Sequence, residues 1–110
     1  IPEAFWRAQL SYREKSDILK LFQQRLEQRI PVPYLTHQAW FAHLPFYVDS
    51  RVLIPRSPIA QLIETRYEPW IEPTQVQRVL DLCCGGGCIG IASVLRAFPE
   101  AKVDLADISV

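Results

Sequence analysis

Apolar residues recur every four positions at Ile18, Phe22, Leu26 and Ile30, with Leu19 and Leu21 widening the stripe. Arg13, Lys20, Gln24, Glu27 and Gln28 fall on the other side. This period predicts an amphipathic helix over residues 12–29. Ser11 and Glu14 have the spacing of a capping box, in which hydroxyl and carboxylate each take one of the unpaired N–H groups that open a helix. Pro31 should stop it. The period changes further along. An apolar run at 76–82 predicts a buried strand, three glycines at Gly85, Gly86 and Gly87 force a tight turn, and small residues from Cys88 predict a helix to about residue 98. That helix should bury Ile89, Ile91, Ala92, Val94 and Leu95, turn Arg96 outward and end at Pro99. Residues 102–106 then predict a second short strand that ends in Asp107.

Between these elements the signals are shorter. Residues 30–35 carry two prolines and predict a stiff extended connector. Residues 38–41 and 46–48 are aromatic-rich runs on either side of 42–45, consistent with a β-hairpin. Ser57 as N-cap and Pro58 at the first helical position predict a helix to about Tyr67, with Ile59, Leu62, Ile63 and Tyr67 inward. Residues 68–75, with Pro69 and Pro73, form a linker. Ala4, Phe5, Trp6, Ala8 and Leu10 make an apolar patch at residues 1–10. The helix and hairpin form a small accessory layer ahead of the strand, glycine turn and helix.

That unit brings bare backbone to a ligand. Glycines tolerate positive φ and carry no Cβ, and the first N–H groups of the next helix point outward unpaired. Read literally, Gly85, Gly87 and Gly90 form the dinucleotide fingerprint G-x-G-x-x-G, which leaves an NAD(P)-dependent oxidoreductase as one reading. Asp81, four residues ahead of Gly85, favours a different ligand. A carboxylate there suits an ammonium or hydroxyl group and would repel a pyrophosphate. Asp107 stands at about the twenty-residue distance at which an acidic group meets ribose hydroxyls. Asp-x-x-x-Gly-x-Gly resembles the first motif of S-adenosylmethionine-dependent methyltransferases.

Composition narrows the partners. Twelve basic and twelve acidic residues among 110 cancel, so no global attraction to RNA, DNA or anionic lipid is expected. Arg7, Arg13, Lys15, Lys20, Arg25 and Arg29 are nearly offset by Glu3, Glu14, Asp17 and Glu27, which makes the first helix a solvated face. No apolar run approaches the roughly twenty residues of a bilayer span, and a cytoplasmic enzyme is the expectation. Cys83, Cys84 and Cys88 lack zinc-ligand spacing and are read as small side chains packing the turn, and no metal site is expected. His37 and His43 lack ligand spacing too. Arg56 lies just ahead of the helix that starts at Pro58, on a segment expected to approach the glycine turn, as an ion-pair partner or as part of the active site. The absence of methionine and the ending soon after Asp107 suggest a piece excised from a larger protein.

The chain from Arg29-Ile30-Pro31-Val32-Pro33-Tyr34-Leu35-Thr36 through Ala39-Trp40-Phe41, Phe46-Tyr47-Val48-Asp49, and Arg51-Val52-Leu53-Ile54-Pro55-Arg56-Ser57-Pro58-Ile59 to the glycine turn resembles the HemK-type protein glutamine N5-methyltransferases. Arg56-Ser57-Pro58-Ile59 is most similar to the PrmB branch, whose substrate is large-subunit ribosomal protein L-three. The resemblance implies an α/β, Rossmann-like S-adenosylmethionine-dependent methyltransferase domain, of which only the start of the sheet is present, preceded by a helix and a β-hairpin. It implies the end of an N-terminal helical domain at 1–35, a hairpin linker at 36–57 and the first part of the methyltransferase domain at 58–110. Cys83, Cys84, Gly85, Gly86 and Gly87 take the positions around the methionine moiety of S-adenosyl-L-methionine, and Asp107 that of the ribose ligand, with Asp81 completing the motif. Cys84 stands where the family usually has Thr, and Gly86 where it has Ser or Thr. The family's catalytic Asn-Pro-Pro-Tyr does not occur here, so no catalytic residue is assigned and the isolated chain is expected to be inactive. Two parallel strands with unpaired edges predict self-association or a partly disordered C-terminal half. Methylation of a peptide release factor and a non-enzymatic docking module are the remaining alternatives.

Overall fold

The computed structural model describes residues 3–109, apart from the side chain of Ala4. The apolar patch expected at residues 1–10 therefore lies partly outside the described residues, at Ile1, Pro2 and the Ala4 side chain. A 3-10 helix at Glu3–Arg7 leads into α1, Tyr12–Gln28. The capping box is formed: Glu14 N–H donates to Ser11 Oγ, and Glu14 Oε2 accepts from Ser11 N–H at 2.8 Å. Arg29, in the left-handed region at φ 56°, ends the helix before Pro31 is reached. None of its residues is buried, and Phe22 and Leu26 are 61% and 77% exposed.

The expected extended connector is instead a short helix, α2, Val32–Thr36. Both prolines sit at its start, where a missing N–H leaves no helical bond unmade. Tyr34 and Leu35 N–H both donate to Pro31 C=O, and Tyr34 Oη donates to Val52 C=O at 2.7 Å. Strands β1, Ala39–Phe41, and β2, Leu44–Phe46, pair antiparallel with Phe41 opposite Leu44. The second strand begins at Leu44 rather than at Phe46. Ala42 and His43 both adopt positive φ, 45° and 60°, and a two-residue connection of that kind matches the twist of the strands it joins.

Helix α3, Ile59–Glu64, opens with Ile59 N–H donating to Ser57 Oγ at 3.2 Å. It ends sooner than expected because Arg66 and Tyr67 adopt left-handed φ of 55° and 60°. A 3-10 turn at Pro73–Gln75 forms the end of the expected linker, and β3 spans Arg78–Leu82, starting two residues later than expected. Helix α4, Cys88–Arg96, then crosses to β4, Lys102–Ala106, which pairs parallel with β3 and sets Arg78 opposite Lys102 and Leu82 opposite Ala106. These form a small α/β arrangement, with one antiparallel and one parallel pair of strands.

The core joins the two halves. Ile63, wholly buried, packs with Phe41, Ala42 and Ala92, while Ala97, Phe98 and Ala101 form a second cluster under Val76 and Val79. Tyr67 bridges them: its ring stacks on Phe98, and its hydroxyl meets the buried Ser93 Oγ at 2.8 Å. Ser93 also donates to Ile89 C=O, so this buried hydroxyl is satisfied. Leu95, expected inside, is 61% exposed, because α4 turns Ala92 and Ser93 inward.

Substituting Ile63→Ala in the whole protein that carries this chain should lower unfolding free energy by about 2–5 kcal/mol. Leu95→Ala should change it by less than about 1 kcal/mol. Urea unfolding with equal slopes for both variants checks the contrast; a larger loss at Leu95 would contradict this packing.

Candidate functional site

The turn between β3 and α4 folds back by placing Cys83, Gly85 and Gly87 in the left-handed region, at φ 61°, 53° and 70°. Glycine meets that demand without strain, whereas Cys83 carries a Cβ in a conformation that L side chains avoid. Main-chain bonds close the turn. Cys84 N–H donates to Ala106 C=O at 3.1 Å, tying it to β4, and Gly87 N–H donates to Cys84 C=O at 2.8 Å. Gly87 is the N-cap of α4 and supplies no capping side chain.

Two carboxylates supply what the bare backbone lacks. Asp81, in β3, accepts from Gly90 N–H at 2.8 Å through Oδ2. This bond exists because Gly90 has no Cβ: one placed there would lie 2.9 Å from Asp81 Cβ and 2.6 Å from Leu105 Cδ2. The fingerprint glycine thus sets the close approach of α4 to the strands. Asp107, one residue past β4, accepts from Gly85 N–H at 2.8 Å through Oδ2 and from Ser109 N–H at 2.9 Å through Oδ1. The Ser109 and Gly85 N–H groups, in that order, hold the Asp107 carboxyl below the ordinary carboxylate range. Burial, and then the charge of Asp81, push the Cys88 thiol up, which keeps it protonated.

Two cavities open on the turn and share Gly85 and Gly86. The first, of about 300 Å³, is lined by Tyr47, Asp49, Arg51, Val52, Asp107 and Ser109 besides the two glycines. The second, of about 250 Å³, is lined by Leu53, Ile54, Pro55, Arg56 and Ser57 on one side and by Cys83, Cys84, Cys88 and Ile89 on the other. Val52 lines the first, and a Cβ on Gly86 would meet it at 3.9 Å. A Cβ on Gly85 would meet nothing within 4 Å, so open space faces the main chain there. Together the cavities fall within the range of small-molecule sites, about 300–1,000 Å³.

Of the residues singled out in the sequence, Cys83, Cys84, Gly85, Gly86 and Asp107 border these cavities, while Gly87 is buried beneath them. Asp81 instead faces inward to Gly90. Arg56 lines the second cavity and makes no ion pair among the described residues, so the ion-pair alternative is not realised there. Sequence reasoning missed Tyr47, Asp49, Arg51, Val52 and Ser109. Asp49 and Arg51 form a bidentate pair, with contacts of 2.6 and 3.0 Å, that holds the Asp49 carboxyl down at about 2. Opposite charges two residues apart were the available signal. His37 stacks on Tyr47 and His43 pairs with Glu64. The three cysteines are free thiols, and among the described residues no group of three or more His, Cys, Asp or Glu side chains is arranged to hold a metal ion. No described helix is long and apolar enough to cross a membrane.

Similarity to known proteins agrees with this geometry. The chain is 51% identical over 106 residues to a protein of Xanthomonas campestris pv. campestris named ribosomal protein uL3 glutamine methyltransferase. The chain is similar to uL3 glutamine methyltransferases. Proteins of that name from Xylella fastidiosa and Bordetella pertussis are 50% and 44% identical over 96% and 97% of the chain. The chain spans about a third of the length of these relatives, 34% in the Xanthomonas and Xylella proteins and 36% in the Bordetella protein. No family model matches it. The resemblance read from the sequence is borne out by these relatives.

Because the folded Asp107 carboxyl titrates low, its bonds to Gly85 and Ser109 should be intact above the ordinary carboxylate value of 3.8 and be lost as pH falls through a lower midpoint. Amide shifts of Gly85 and Ser109, followed by NMR, should hold steady down to that value and move together below it. A midpoint at or above 3.8 would contradict the bonding described. Gly90→Ala, which forces Asp81 and α4 apart, should lower unfolding free energy by about 1–3 kcal/mol in urea, and an unchanged or raised value would contradict the close approach of α4.

Proposed function

We propose that the whole protein carrying this chain transfers a methyl group from S-adenosyl-L-methionine to the side-chain amide nitrogen of a glutamine in ribosomal protein uL3. The observation that carries this reading is the glycine turn held by Asp107, with a carboxylate and bare backbone bordering one cavity. The names of the similar proteins supply the reaction and the substrate. The β3–α4–β4 unit is read as the start of a Rossmann-like methyltransferase sheet. Residues 1–35 are read as the end of an N-terminal helical domain, 36–57 as a linker and 58–110 as the first part of the catalytic domain.

The residues present suit that methyl donor. Asp107 accepts hydrogen bonds at the end of the second strand, where ribose hydroxyls are expected, and Gly85 and Gly86 leave room against the main chain. When bound, S-adenosyl-L-methionine supplies an electrophilic methyl on a sulfonium. The chain's own part is to bind and orient: Asp81 fixes α4 against β3, Asp107 fixes the turn, and Cys83, Cys84 and Gly87 shape its floor. Cys84 and Gly86 carry no hydroxyl, so two contacts are lost, the main-chain contacts remain and weaker affinity for the methyl donor is expected. An acid at Asp107 would meet a ribose in either cofactor class, and it is the names of the similar proteins that favour the methyl donor over the nicotinamide reading. The substrate is read as uL3 rather than a release factor because the similar proteins bear that name. The protein is read as cytoplasmic, with no direct binding of nucleic acid, and the chain alone is expected to self-associate through its unpaired strand edges.

Titration calorimetry on the whole protein should give saturable binding of S-adenosyl-L-homocysteine and none of NADH, and mass spectrometry should find methylated glutamine in uL3 after incubation with the methyl donor. The 110 residues alone should leave uL3 unmodified. Binding of NADH in place of the homocysteine, or methylation by the isolated chain, would contradict the reading.

A further inference from the structure

We propose that Arg56, which lines the second cavity, is the carboxylate anchor of this site: its guanidinium takes the α-carboxylate at the amino-acid end of the methyl donor. The inference rests on the methyl-donor reading above and assigns the direction in which that ligand lies.

The two cavities share Gly85 and Gly86 but differ in charge. The first holds Asp49, Arg51 and Asp107. Arg51 is engaged there by both carboxylate oxygens of Asp49, so the pair carries no net charge toward a ligand. What remains in the first cavity is the Asp107 carboxylate, an acceptor. In the second cavity Arg56 is the single charged residue among those that line it, and it has no ion-pair partner among the described residues. Fixed charge along the turn therefore runs from acceptor to cation.

A ligand with hydroxyls at one end and a carboxylate at the other has one favourable orientation across such a field. Hydroxyls on Asp107 and carboxylate on Arg56 satisfy both ends. The reverse places two carboxylates together at Asp107 and leaves the guanidinium facing hydroxyls. A planar guanidinium also matches a carboxylate with two parallel N–H bonds, which an ammonium does not. The segment that carries Arg56 is anchored on both sides. Tyr34 Oη holds Val52 C=O, and Ser57 Oγ takes Ile59 N–H at the start of α3. Helix α4 starts at Cys88 in the same cavity, and its positive end adds to the attraction.

The test uses the whole protein and two probes that differ at the amino-acid end: S-adenosyl-L-homocysteine, which has the carboxylate, and methylthioadenosine, which lacks the whole group. By calorimetry, Arg56→Gln should weaken the homocysteine about 10- to 100-fold, as expected for a hydrogen bond to a charged group. Methylthioadenosine should bind unchanged, which also shows that the variant is folded. Arg56→Lys should recover part of the loss. Equal weakening of both probes would mean that Arg56 only supports the fold, and overturns the proposal. So would homocysteine affinity unchanged in Arg56→Gln, including the case in which only the Michaelis constant for uL3 rises, which would place Arg56 on the protein substrate. If the wild-type protein binds neither probe, the methyl-donor reading fails and the anchor with it.

Discussion

A turn of nearly bare backbone holds its shape only where something accepts its N–H groups, and here two carboxylates from two strands do so. Asp81 reaches forward from β3 to Gly90, and Asp107 reaches back from the end of β4 to Gly85. The parallel register makes both possible. Asp81 lies opposite Leu105, so Asp107 follows two residues later, level with the turn. A slip of one residue would turn the strand's side chains to the other face and take Asp107 from Gly85.

The rest of the fold serves that register. Gly90 lets α4 press on Asp81 and Leu105, and Ala92 and Ser93 continue the small-residue face that carries the contact into the core. Ile63 of α3 packs on Ala92 and Phe41, which joins α3 and α4 to β1 and β2. The strand pair and α2 in turn hold the segment 47–57 beside the turn, and this segment walls both cavities. The site is therefore a groove between the turn that joins β3 to α4 and the strap 47–57. Charge separates its two ends: the Asp107 acceptor, proposed for sugar hydroxyls, and the Arg56 guanidinium, without an ion pair among the described residues and proposed for an acid.

Much of this was legible in the chain. The capping box at Ser11 and Glu14, the strand at 102–106 and the glycine turn between two acids carry their physics in residue type and spacing. What failed was set by conformations that sequence does not announce. Arg66, Tyr67, Ala42, His43 and Cys83 all take positive φ without being glycine, so α3 ended early and β2 began early. Two prolines read as a rigid extended connector because proline fixes φ, yet the same φ opens a helix, and α2 formed. The period of α1 correctly identified an apolar side and said nothing of what covers it; that side is exposed among the described residues. In the site, Asp107 was found by spacing and Asp81 by position, but the inward turn of Asp81 depends on how near α4 comes. The strap residues Tyr47, Asp49, Arg51 and Val52 approach the turn only through tertiary packing, which no local pattern encodes.

The measurement that bears most directly on this account is a crystal structure of the whole protein with S-adenosyl-L-homocysteine. The account predicts ribose hydroxyls within hydrogen-bond reach of Asp107, while the sulfur-bearing chain runs along the Gly85 and Gly86 backbone and Gly85 N–H stays on the carboxylate. A ligand bound away from this turn, or an Asp107 side chain rotated out of contact with the sugar, would contradict it.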